Sequence, residues 1–184
     1  MILNQDNPLF YNLTSEEMLE MVKRQNLLSP QRRDCVLERD DGIDMDDYLQ
    51  ERIDRWYAEQ LLTADTALLP LEDVKQDVTL SVSDDGVVSA TLPPHVVRPV
   101  EFKLAGWGRA VTRFLRHDDP ACALQHNPFT RGRSDAPAAI DYGDHLSLFS
   151  ATSGGSALTR ALCVVHPASG NYVFHRSLLP LLEL

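Results

Sequence analysis

The side chains in this 184-residue chain that could do chemistry are six histidines, three cysteines, an acidic run and one glycine–serine stretch. His95, His117, His126, His145, His166 and His175 stand apart. No HxH, HExxH or HxxxH spacing brings two imidazoles toward one metal ion, so no metal site is expected. Cys35, Cys122 and Cys163 contain no CxxC pair, which argues against a zinc knuckle or a disulfide framework and for reduced thiols. The run from Asp40 to Asp47 invites a calcium reading. Counting back from Gly42, the ligand positions fall on Asp41, Arg39 and Leu37, and the EF-hand pattern fails. Gly154-Gly155-Ser156-Ala157 lacks the second glycine of a nucleophile elbow. His117 beside Asp118 and Asp119 could form an acid–base pair, although carboxylates in that position usually cap a helix. No catalytic or cofactor-binding residue is assigned.

The elements that would position these groups follow from periodicity. Thr14-Ser15-Glu16-Glu17 has capping-box spacing, and Met18, Met21 and Val22 give the helix behind it an apolar face. The strongest helix is expected over residues 47–68, capped by Asp47 with Gln50 at the reciprocal position. Leu49, Ile53, Trp56, Tyr57, Leu61 and Ala64 fall on one stripe of it. Trp56 and Tyr57 either anchor the core or mark a partner surface. Period-2 alternation predicts strands over 78–82 and 87–92, with a turn at Gly86 between them. Pro93-Pro94 ends the second. A third strand fits 96–104, and Gly106-Trp107-Gly108 turns into a short fourth over 109–114. Asp118 or Asp119 with Pro120 starts a brief helix. The polar loop over 127–137 carries Phe129, Arg131 and Arg133, and a loop of that length is often functional. Strands resume over 138–142, 145–149 and 158–165. Residues 172–184 are leucine-rich and read as a helix interrupted by Pro180.

The expected fold class is therefore α+β: N-terminal helices, a central antiparallel β-sheet or sandwich, and a C-terminal Leu-rich helix. An N-terminal arm and short helix over 1–45 would precede one domain over 46–184. Lys and Arg number 17 against 27 Asp and Glu, a net charge of −10. That balance argues against a protein that grips nucleic acid by neutralising phosphates. No apolar stretch reaches the roughly 18 residues of a membrane span, and the N-terminus does not read as a signal peptide. The expectation is a soluble protein made in the cytosol.

The order of these parts resembles the head-to-tail adaptor (connector or ring) proteins of tailed bacteriophages, most of all the ring proteins of crAss-like phages. The matching features are the helix over 47–68, the Thr91-Leu92-Pro93-Pro94-His95-Val96 lead-in to a strand, and Gly106-Trp107 with the strand after it. The Asn127-Pro128-Phe129-Thr130-Arg131-Gly132 loop, the paired strands around Tyr142 and Leu148, the apolar strand at Leu162 and a final Leu-rich helix complete the series. The resemblance covers residues 45–184, and the family closes with a longer helix than this chain offers.

The resemblance implies a virion protein at the head–tail junction, made in the host bacterial cytoplasm, with no enzymatic activity and no cofactor. Its copies would form a homo-oligomeric ring, of about twelve, closed by heterologous contacts. The portal protein and adjacent tail or ring proteins would be its partners, and DNA would pass through without specific binding. Trp56, Tyr57, Trp107, Phe129, Arg131 and Arg133 are the residues expected nearest those contacts. The alternatives are a monomeric ligand- or peptide-binding module displaying the Phe129 loop, and a hydrolase using His117.

Overall fold

The computed structural model describes residues 7–27, 45–83, 85–149, 157–167 and 170–181. The chain divides into two compact units, Leu71–Val165 and a second built from Asn4–Pro70 with His166–Leu184. The boundary expected at residue 45 is thus replaced by a different division. One unit is inserted between the two halves of the other.

In the discontinuous unit, β1 (Phe10–Leu13) pairs antiparallel with β10 (Tyr172–His175), Phe10 opposite His175 and Leu13 opposite Tyr172. The α1 helix (Ser15–Leu27) starts as its sequence dictates. Thr14 N–H donates to Glu17 Oε2 at 2.9 Å and Glu17 N–H to Thr14 Oγ1 at 3.3 Å, a complete capping box. The α2 helix spans Met45–Thr63, and a 3-10 turn follows over Thr66–Leu68. Asp47 therefore lies inside the first turn and is not its cap. With Asp46 it places negative charge at the positive end of the helix dipole. Asp46 also meets Lys23 of α1 at 2.8 Å, a contact that raises the lysine pKa.

The core of this unit is aromatic. Ile53, Trp56, Tyr57 and Leu61 of α2 are buried, as are Met18 and Val22 of α1 and Tyr172, Val173 and Phe174 of β10. Trp56 sits edge-on to Phe174 with ring centroids 5.3 Å apart, and Tyr57 edge-on to Tyr172 at 5.1 Å. Over its described part, 172–181, the C-terminal segment does not form the expected helix. Tyr172-Val173-Phe174 are strand formers, and Phe10–Leu13 supplies a partner that no local pattern reveals. Among the described residues a 3-10 turn follows, over Arg176–Leu181.

The inserted unit is a sandwich of two sheets. One is ordered β2 (Leu71–Asp73), β9 (Leu158–Val165), β5 (Val96–Leu104), all antiparallel. The other runs β3 (Thr79–Val82), β4 (Val88–Thr91), β8 (His145–Leu148), β7 (Ala139–Asp141), β6 (Leu115–Arg116), with β6 and β7 parallel. Alternate residues face the shared core: Val88 and Ala90, Leu146 and Leu148, Phe102 and Leu104, and Ala161, Cys163 and Val165. On the opposite face of the five-stranded sheet, Ile140 and Phe149 pack on Cys122 of α3 (Cys122–His126).

The strand positions agree with the alternation, but their pairing does not form one meander. Both flanks of β4 are filled by β3 and β8, so after Pro93-Pro94 the chain crosses to the other sheet. There Pro99 falls on an edge strand, beside a register shift, where its missing N–H is tolerated. The strand expected over 109–114 reduces to one bridge, Val111 with Phe102, before β6 joins the opposite sheet. The acidic run before Met45, Cys35 and the Gly154–Ser156 stretch lie outside the described residues. Among the described residues no helix is long and apolar enough to cross a membrane.

Candidate functional site

The loop after α3 combines an exposed apolar side chain with a closely held backbone. Asn127 begins it. Its Oδ1 accepts from Phe129 N–H at 3.0 Å, and its carbonyl accepts from Thr130 at 3.1 Å and Arg131 at 3.0 Å. Thr130 Oγ1 donates to Leu124 O at 2.7 Å, and Gln125 Oε1 accepts from Gly132 N–H at 2.8 Å. Arg133 and Ala136 exchange backbone hydrogen bonds, and Gly108 N–H reaches Ser134 O at 2.7 Å. Arg131 Nη1 donates to Asp85 O at 2.7 Å, tying the loop to the β3–β4 turn. Gly132 is required by space, since a Cβ there would sit 2.7 Å from Ala138 N and 2.9 Å from Ala138 Cβ. Around this frame Phe129 is 89% exposed, and Leu124 beside it is 55% exposed.

The other residues expected at contacts sit differently. Trp56, Tyr57 and Trp107 are buried within the chain, at 8%, 1% and 4% exposure, so they act as anchors of the two cores. The Tyr57 hydroxyl donates to Val173 O and accepts from Val173 N–H, each at 3.1 Å, and burial pushes its pKa up. Trp56 Nε1 is buried without a hydrogen-bond partner among the described residues. Arg131 is half-buried and Arg133 exposed. The structure thus keeps Phe129, Arg131 and Arg133 together on one loop and takes the three other aromatics out of the surface.

Comparison with protein families, curated proteins and solved structures finds no match. Function must be argued from the chain itself.

His117 does not face its neighbouring carboxylates. Asp119 Oδ1 accepts from Ala121 N–H at 2.8 Å, Asp118 lies 3.8 Å from Arg116 Nε, and the imidazole stacks on Tyr142 at 6.4 Å. Tyr142 in turn stacks on His145 at 4.8 Å, and His145 Nδ1 lies 2.7 Å from Asp144 Oδ1, which lowers the Asp144 pKa. This exposed His–Tyr–His stack had no sequence signal, because its members come from β8, the β7–β8 turn and the segment after β6. Among the described residues no group of three or more His, Cys, Asp or Glu could hold a metal ion. Cys163 is buried in the sandwich, and its thiol pKa is pushed up to about 12 by burial, with Asp73 and Asp141 adding to the shift. It is not poised as a nucleophile.

The discontinuous unit holds a second polar cluster. The Tyr172 hydroxyl donates to Asp54 Oδ1, and Gln50 Nε2 donates to Asp54 Oδ1 at 3.0 Å and to the Tyr172 hydroxyl at 2.5 Å. Burial, followed by the bond to Asp54, raises the Tyr172 pKa. A cavity of about 260 Å³ lies here, lined by Ser15, Asp54, Tyr57, His166, Gly170 and Tyr172. Gln50 and Asp54 are four apart on one helix, but nothing in the sequence joins them to Tyr172.

Proposed function

We propose that this chain is a structural assembly subunit, a ring protein of the head–tail junction of a tailed phage, working by docking rather than turnover. The observation that carries the reading is the Phe129 loop. A rigid turn that holds a phenylalanine almost wholly in water forgoes about 1.5–3 kcal/mol of burial that a partner surface can restore. Because the loop is already ordered, docking loses little conformational entropy. The helix ahead of the sheets and the Asn127 loop keep the order that the connector resemblance implies, while its final helix and the strand directly after Trp107 are not formed over the described residues. The net charge of −10 suits a conduit along which DNA slides without sticking.

The test is negative-stain microscopy with light-scattering mass, on the purified chain at high concentration and on the chain co-expressed with the portal protein of its own genome. Closed rings in either sample are the expected result. A monomer in both refutes the reading. One observation favours a second reading, a ligand-binding module: the polar cavity at Asp54 and Tyr172. That reading requires a monomer with saturable ligand binding that is lost in Asp54→Asn.

A further inference from the structure

The same assembly reading, taken one step further, points to what receives Phe129. The groove along α1 has a volume of about 590 Å³ and is lined by Leu13, Glu16, Glu17, Glu20, Met21, Arg24 and Gln25. Leu13 and Met21 give it an apolar floor, and methionine adapts readily to an incoming aromatic ring. Glu16, Glu17 and Glu20 outnumber the single cation Arg24 in its lining and leave the rim acidic. In a chain of net charge −10, the loop that presents Phe129 also carries Arg131 and Arg133. An apolar knob flanked by cations therefore complements an apolar groove rimmed by carboxylates, and both surfaces belong to the same chain.

We propose that Phe129 of one copy docks into the α1 groove of a second copy, with Arg133 facing Glu16 and Glu20. This inference rests on the assembly reading. The contact is heterologous, since the knob and the groove are different surfaces. Repeated around an axis, such contacts close into a ring when the rotation allows and extend into a filament when it does not. Part of the acidic rim is already engaged: Glu17 caps Thr14, and Glu20 lies 3.6 Å from Lys23. Glu16 is exposed and makes no ion pair among the described residues. The charges set register and exclude wrong partners, while the benzyl group carries affinity.

The test replaces Phe129 with p-benzoylphenylalanine in the full chain and irradiates a mixture of isotopically light and heavy copies. It uses the assembled state, with the chain alone or with the portal protein. The expected result is mixed-isotope crosslinks from position 129 to Leu13 or Met21. In parallel, Phe129→Ala should weaken self-association by about thirtyfold or more, the range of a hot-spot truncation. Glu16→Arg should weaken it too, and Arg133→Glu combined with Glu16→Arg should restore part of the loss. A chain that assembles but crosslinks from position 129 elsewhere, or not at all, overturns this contact and leaves the assembly reading standing. A chain that forms no assembly under any of these conditions overturns both.

Discussion

Replacing Tyr57 with phenylalanine removes one oxygen and is expected to destabilise the discontinuous unit by about 2–4 kcal/mol. The residue is 1% exposed, and its hydroxyl both donates to and accepts from the backbone of Val173 at 3.1 Å. On its other flank β10 pairs with β1, so the hydroxyl stands in for a missing neighbour strand. Each bond contributes about 0.5–1.5 kcal/mol net, and each buried group left without a partner costs about 1–3 kcal/mol. For a chain of this size the thermal midpoint should fall by roughly 5–15 °C. Urea unfolding followed by fluorescence gives the free energy, and an unchanged denaturant slope would show that the unfolded ensemble is the same. Hydrogen exchange of the peptide containing Val173 gives a local readout, and that amide should lose protection first. Tyr48→Phe is the control. Tyr48 is 47% exposed and its hydroxyl accepts only a 3.4 Å bond from Arg52, so the change should stay within about 0.5 kcal/mol. A Tyr57→Phe protein as stable as Tyr48→Phe, with Val173 still protected, would refute the argument.

Gly132→Ala should cost about 1–3 kcal/mol, as overpacking does, because its Cβ would be forced against Ala138; chemical denaturation measures this, and the variant should also self-associate less. Thr14→Ala removes the oxygen that accepts from Glu17 N–H and should cost about 1 kcal/mol by the same assay. Burial raises the pKa values of Tyr57 and Tyr172 in the fold above the ordinary tyrosine value of about 10. Their contribution to stability is therefore full below pH 10 and is lost as pH rises through the folded values, so alkaline melting should steepen above pH 10 and weaken in Tyr57→Phe. Cys163 should resist a thiol reagent at pH 8 in the native protein and react once the chain is unfolded, as mapped by mass spectrometry.

Local chemistry carried most of the elements. The Thr14–Glu17 capping box, the 96–104 and 158–165 strands and the short helix after Pro120 follow from residues within a few positions of one another. Pairing did not follow. Whether β4 meets β5 depends on β8 having already filled its flank, which is information held more than fifty residues away. The C-terminal segment misleads for the same reason, since leucine content favours a helix unless a distant strand at Phe10–Leu13 competes. Among the candidate residues, the loop position of Phe129, Arg131 and Arg133 was legible because a polar loop that carries a phenylalanine breaks the usual pattern. Trp56 and Trp107 were ambiguous, because an aromatic on an amphipathic stripe or in a turn looks the same whether the protein's own core or a partner covers it. The Tyr172–Asp54 cluster and the His117–Tyr142–His145 stack were invisible, being assembled by topology alone.

The pairing of β1 with β10 also sets a timetable. Leu71 and Val164 lie opposite each other where β2 meets β9, so the inserted unit has its first and last strands side by side and can complete its fold soon after Val165 leaves the ribosome. The unit that begins first must wait for β10. Until Tyr172, Val173 and Phe174 emerge, β1 has no partner strand and the aromatic rings of α2 lack Phe174 and Tyr172. A nascent or prematurely stopped chain therefore presents Trp56 and Tyr57 without their final partners, a surface that chaperones and proteases recognise. Closure of the outer unit thus waits on Tyr172, Val173 and Phe174, residues made after every strand of the inserted unit.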